Sequence, residues 1–236
     1  MLVFQHHHKA RTPDTQILDL HTSRTPRKIK VNVSCCAVLL VLGLLGLVWY
    51  AVTFDVRRDW CPHAPVPCAL YITLFHVLLL LSLTAYVRCV FTANGVGYWR
   101  RFLSPATLNQ VETSQCHSCR TERPARAHHC SVCNECVLKM DHHCVWVCNC
   151  VGYHNYKYFC LFVFYTAVGA WLAVLGCVLQ MLGWLSSESD GRQSGPVFGA
   201  LILCLSFGTA LTGFSAFHLH LARRNKVHSS QLQQTD

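Results

Sequence analysis

A chain of 236 residues that is 52% hydrophobic and only 13% charged is more apolar than soluble domains, which run at about 45–50% apolar and about 25% charged. That excludes an ordinary soluble fold and points to a protein that uses lipid as part of its solvent. The net charge of +9 suits anionic lipid headgroups and calls for no nucleic acid.

In chain order, residues 1–32 form a polar leader in which His6, His7 and His8 read as solvated and unstructured. Four apolar runs follow, over 33–54, 69–91, 159–185 and 196–221. Each is long enough to cross a hydrocarbon core, which takes roughly 20 apolar residues as helix. None shows the polar stripe of a helix in a soluble core. The first run sits behind a long polar leader, exceeds a signal-peptide core and lacks a small-residue cleavage site, so it reads as a retained signal anchor. A cysteine-rich segment, 92–158, separates the second run from the third, and a short tail, 222–236, ends the chain. The expected fold is an all-α polytopic membrane protein. Its four transmembrane helices carry a small cytosolic cysteine-rich domain with two zinc ions between the second and third.

Orientation follows from the basic residues. Lys9, Arg11, Arg24, Arg27, Lys28 and Lys30 precede the first run, and Arg100, Arg101, Arg120, Arg123, Arg126, Lys139 and Lys157 fill the middle segment. Arg223, Arg224 and Lys226 follow the last run. The two short loops between runs hold Arg57, Arg58 and Arg192, offset by Asp55, Asp59, Glu188 and Asp190. Both termini and the middle segment are therefore expected in the cytosol, where thiols stay reduced and clustered pairs mean metal or catalysis. Cys61 and Cys68, on the luminal side, are the candidate disulfide pair.

The middle segment reads "CHSCRTERPARAHHCSVCNECVLKMDHHCVWVCNC" from Cys116 to Cys150. Cys116-x2-Cys119 and Cys130-x2-Cys133 are short hooks of the kind that aim two sulfurs at one tetrahedral zinc. His129, Cys136, His143 and Cys150 complete eight ligands, enough for two Cys3His sites. The order of pairs does not fit a RING module, and no helix with paired histidines suggests a nucleic-acid finger. Cys144 and Cys148 are left over. Asp141, His142 and Cys144 are the residue types of an activated thiol, with the acid orienting the base and the base generating thiolate. Neighbouring residues can meet in this way only if the motif sits on a sharp turn. Spacing alone leaves open the alternative in which Cys144 ligates metal and His143 or Cys150 is spare.

The same stretch, extended through "VGYHNYKYF" and including Pro124, Gly152, Asn155 and Phe159, resembles the DHHC protein S-acyltransferases, named for the string Asp141-His142-His143-Cys144. The resemblance implies one zinc on Cys116, Cys119, His129 and Cys136 and a second on Cys130, Cys133, His143 and Cys150. It implies Cys144 as nucleophile, with Asp141 and His142 as the activating pair. It further implies palmitoyl-CoA as acyl donor and a Cys144 thioester intermediate. The acceptors are cysteines of membrane-associated proteins on the cytosolic side, and the setting is the Golgi, endoplasmic reticulum or plasma membrane.

Trp146 has two readings, packing of the zinc module, which is favoured, and the rim that admits the acyl chain. Cys148, where the family often carries Asn, is read as a bystander in preference to a second thiol that diverts acyl groups or oxidises. Cys35, Cys36, Cys160, Cys177 and Cys204 read as small hydrophobes. Two departures stand out. The family's Asp-Pro-Gly turn after the second span is replaced by "TANGVGYWRR", with Asn94-Gly95 as the turn signal. A Thr-Thr-x-Glu motif is absent after Asn225-Lys226, where the match is expected to stop. A shortened form with weakened activity is the corresponding expectation, and a membrane-anchored zinc scaffold without turnover is the rival reading.

Overall fold

Lipid offers no partner for a backbone N–H or C=O, so each apolar run must satisfy its own as helix. The computed structural model describes residues 33–95, 113–186 and 195–224. Among these, four helices are long and apolar enough to cross a membrane: Cys36–Trp60, Pro65–Phe91, Tyr156–Gly183 and Gly195–Arg223. The first span is α1 (Val33–Tyr50), a π-helical stretch Ala51–Val56, and α2 (Arg57–Trp60). It runs on past residue 54 although charge begins at Asp55, because backbone bonding does not depend on side-chain polarity. Asp55 is buried, and the Gln180 amide of the third span donates to its carbonyl oxygen at 3.3 Å and to the Asp59 carboxylate.

A Cys61–Cys68 disulfide closes the connection to α3 (Pro65–Phe91). Pro65 opens α3 ahead of the apolar run, in the first turn where a missing N–H costs nothing. The third span, α4 (Tyr156–Ser186), starts directly after Asn155. The Asn155 carbonyl accepts from Phe159 N at 2.9 Å, and its side-chain oxygen accepts from Gly152 N at 2.9 Å. The fourth span is α5 (Gly195–Arg223).

Between α3 and α4 lie six short strands: β1 (Thr113–Cys116), β2 (Thr121–Pro124), β3 (Ala127–Cys130), β4 (Glu135–Leu138), β5 (His142–Cys144) and β6 (Asn149–Val151). They pair as three antiparallel hairpins, β1–β2, β3–β4 and β5–β6. Asn94-Gly95, expected as a turn, is instead an extended tie. Gly95 bridges Val137 of β4, no glycine has positive φ among the described residues, and the Asn94 amide donates to Cys150 O at 2.8 Å.

Asparagines dock this module on the end of α3, whose last carbonyls have no partner within the helix. Asn149 Nδ2 is shared among the carbonyls of Cys89 (3.2 Å), Val90 (3.2 Å) and Thr92 (2.8 Å). Asn155 Nδ2 donates to Cys89 O at 3.1 Å and Cys150 O at 2.9 Å. Within the module, Gly152 permits the close approach of the chain after β6 to β4, since a Cβ there would lie 3.0 Å from Leu138 O. Beneath the module, Tyr86 and Cys89 of α3, Val147 and Phe159 form one buried cluster with Cys144.

Candidate active site

The three hairpins share one register. Cys116 pairs Thr121, Cys130 pairs Glu135 and Cys144 pairs Asn149, so each strand ends on a cysteine and the return strand begins five residues later. The residue just before each return strand, Arg120, Asn134 or Cys148, has positive φ, at 53°, 54° and 50°. That left-handed residue closes the tip. In the first two tips the third residue after the leading cysteine is again cysteine, Cys119 and Cys133; in the third it is Val147.

Each of the first two tips is completed by a cross-strand pair of the next hairpin. His129 pairs Cys136, and with Cys116 and Cys119 their ligand atoms fall within 4.8 Å of one another. His143 pairs Cys150 and does the same for Cys130 and Cys133. Both histidines turn Nδ1 to the sulfurs, His129 at 3.2 Å from Cys119 Sγ and His143 at 3.4 Å from Cys133 Sγ. Three soft thiols and an imidazole converging on one point fit a tetrahedral zinc with no water position left. The third tip has no following hairpin, and Cys144 lies in neither cluster.

Alternation along β5 separates the two roles. Successive strand residues face opposite ways, so His143 points to the second cluster while His142 and Cys144 share the other face. The motif thus needs no sharp turn through itself, contrary to expectation. It is a short strand, and the tight 3-10 turn Val145–Val147 comes after Cys144. Asp141 is 5% exposed, and its Oδ2 accepts from His142 Nδ1 at 2.8 Å. This leaves Nε2 for the thiol, with which His142 also interacts. Burial pushes the His142 pKa down, but hydrogen bonds to Asp141 and Cys144 with their charges outweigh it and hold the pKa at about 9. A ring held by a carboxylate on one side and placed beside a thiol on the other has the surroundings of a general base.

Cys144 opens onto a cavity of about 690 Å³ lined by all four spans, with His142, Val145 and Trp146 at the same end. The lining on α4 extends from Phe159 to Ala170, about 16 Å at the helical rise. Apolar side chains dominate it; Ser82 and Thr166 satisfy each other at 2.7 Å. Trp146 is half exposed on the cavity rim, the less favoured of its two readings. Its carbonyl is held by the Tyr86 hydroxyl at 2.8 Å. The His142 ring rests against Phe159, edge to face at 5.4 Å.

Sequence reasoning passed over Tyr86 and Asn149, and took Asn94 only as a turn residue. The only signal for Asn149 was an amide among cysteines and apolar residues that had no assigned partner. Cys177 and Cys204 are buried as small hydrophobes, whereas Cys36 is exposed and Cys160 partly so. The side chain of Cys35, the leader 1–32 and the tail from Asn225 lie outside the described residues.

A helical bundle of spans that presents one thiol, apart from two candidate metal clusters, at an apolar cavity defines a class of protein: membrane enzymes that handle acyl chains. The profile described as DHHC palmitoyltransferase matches residues 109–235, beyond Lys226 where the match was expected to stop. The chain is 35% identical to "Probable protein S-acyltransferase 14" of Arabidopsis thaliana, over 80% of this chain and 70% of that one. It is 31% identical to "Palmitoyltransferase ZDHHC15" of Xenopus laevis, over 82% and 68%. It is 38% identical to "Palmitoyltransferase pfa3" of Emericella nidulans, over 85% and 44%. The chain belongs to the DHHC palmitoyltransferase family, and protein S-acyl transfer is its activity.

Proposed function

We propose that Cys144 is the nucleophile, that His142 and Asp141 activate it, and that long-chain acyl-CoA is the donor. The observation that carries this reading is the position of Cys144, beside the Asp141–His142 pair at the mouth of the apolar cavity. The acyl tail enters the cavity, and the charged CoA head stays on the cytosolic side among the lysines and arginines of the module. Cys144 Sγ attacks the thioester carbonyl; a new C–S bond forms, the bond to CoA sulfur breaks, and His142 delivers a proton to the leaving thiolate. His142 then takes the proton of a substrate cysteine, whose sulfur displaces Cys144 from the acyl group. One thioester replaces another at each step, so no outside energy is required. The acceptor is a cytosolic cysteine of a protein already near the bilayer, for which the chain supplies a second membrane anchor.

Cys116, Cys119, His129 and Cys136 hold one zinc, and Cys130, Cys133, His143 and Cys150 the other. Zinc there supplies folding free energy to hairpins too small to hold a core.

Autoacylation of the purified protein with labelled palmitoyl-CoA, beside Cys144→Ser and with zinc measured on both, tests the reading. Hydroxylamine-sensitive label on the parent, absent from a variant that still holds two zincs, is the expected result. No label on a zinc-loaded parent favours a scaffold, and zinc lost together with the label makes Cys144 a ligand.

A further inference from the structure

The chemistry above leaves one buried ionisable residue of the fourth span without a task. His218 is 3% exposed, and an ionisable side chain within a membrane span is costly enough to mark function. Its Nδ1 lies 3.0 Å from the Tyr156 hydroxyl at the start of α4. Four rings surround it: Phe214 at 4.4 Å, Phe159 at 5.3 Å, Phe217 at 5.4 Å and Tyr156 at 5.7 Å between centroids.

Phe159 connects this cage to the reacting groups. It is 3% exposed and meets two imidazoles edge to face, His218 at 5.3 Å and 78° and His142 at 5.4 Å and 72°. His142 is tethered at Nδ1 by Asp141, which fixes one atom of the ring but not its rotation about that bond. The Phe159 contact limits the rotation. Phe159 in turn is held from the far side by His218 and by Phe214 at 5.8 Å. A leucine at 218 would fill space and keep the backbone carbonyl that the Tyr156 hydroxyl approaches at 3.5 Å, but it would lose the shorter 3.0 Å bond to the ring, the contact that ties the imidazole itself to the start of α4.

We propose that His218 is a positioning residue: bound to Tyr156, it locks Phe159 against the His142 ring so that His142 stays directed at Cys144. This rests on the assignment of Cys144 and His142 as the thiol and base of acyl transfer.

The test reads the thiol without acyl-CoA. The zinc-loaded full chain in detergent is treated with iodoacetamide at neutral pH, and each cysteine is followed by mass spectrometry. His218→Leu is expected to slow Cys144 alkylation about tenfold, the low end of what loss of a partner that orients a functional imidazole costs at metal sites. Cys148 should react as before and buried Cys89 should stay unreactive. Tyr156→Phe, which removes one oxygen, should slow Cys144 by a smaller factor. The double variant should be no slower than His218→Leu, because both act through one contact.

Unchanged Cys144 alkylation in both single variants overturns the proposal. So does faster alkylation of Cys89 together with Cys144, the mark of loosened packing. Failure of acyl transfer in the parent would overturn the reaction proposed above and leave alkylation to decide the role of His218.

Discussion

Cys144 holds in its hairpin the place that Cys130 holds in the preceding one. Each ends its strand, pairs with the residue five positions on, and is followed four positions on by a left-handed residue, Cys148 or Asn134. The difference is the third residue of the tip, cysteine at 133 and valine at 147. The candidate nucleophile is thus the leading thiol of a metal hook that lacks its second sulfur, at the end of a series in which each tip is finished by the next hairpin. With no further hairpin to follow, the open side of that thiol faces the spans.

Restoring the missing sulfur should convert the tip into a metal site. Val147→Cys places a thiol at the spacing of Cys119 and Cys133, close to an imidazole on the same face. We expect added zinc to bind as a third equivalent and to suppress autoacylation by about a hundredfold, the scale of a lost acid–base step. Metal content and labelling at graded zinc check this. A variant that stays at two zincs and labels normally would show that the third tip is not a hook in geometry.

The cavity predicts chain-length selection at one glycine. Gly169 lines it, and a Cβ there would meet nothing within 4 Å. Gly169→Leu therefore begins from an unobstructed Cβ and should project into the space, and the helix should gain about 1 kcal/mol of propensity. Labelling with palmitoyl-CoA should fall while labelling with a twelve-carbon donor persists. Equal losses for both donors would mean that the acyl chain lies elsewhere.

Much of this was legible in the sequence, and the division has a physical basis. A C-x2-C hook is a local object and a span is a matter of composition, so Cys116, Cys119, Cys130, Cys133 and the four apolar runs could be read directly. Whether Cys144, His143 or Cys150 stood apart from metal could not, because it depends on the alternation of β5 and its register with β6. The asparagines that seat the module were opaque for a stronger reason. Asn149 and Asn155 look like loop residues, yet their shared acceptor on α3, Cys89 O, lies 60 and 66 residues away. The sequence left Trp146 between two readings because an aromatic beside a metal hook has a packing role open to it, and only the position of the spans puts it on a rim.

Backbone strain gives a stability prediction. Cys148 has φ 50°, a region that disfavours residues with a Cβ and that Asn tolerates better. Cys148→Asn should raise the unfolding free energy by roughly 0.5–1 kcal/mol and leave zinc content at two. Thermal unfolding in detergent reads the change; a lower midpoint would mean that the Cys148 side chain contributes more than its backbone costs.

The seating of the module on α3 can be tested with a change of one atom type. Asn149 donates to three carbonyls at the C-terminal end of that helix, where the helix dipole is negative. Asn149→Asp keeps the shape and replaces the donor with an acceptor. If the aspartate is charged, its carboxylate faces three carbonyls and the negative end of the dipole. If it is protonated, one hydrogen must serve where two did. Either state costs about 1–3 kcal/mol of lost and unsatisfied hydrogen bonding. Cys144 belongs to the cluster beneath this seat, so autoacylation should fall together with the unfolding midpoint, while both zincs stay bound because their ligands lie within the hairpins. Loss of zinc at the same step would mean that α3 helps hold the clusters themselves, and full activity would mean that Asn155 and Asn94 suffice to seat the module.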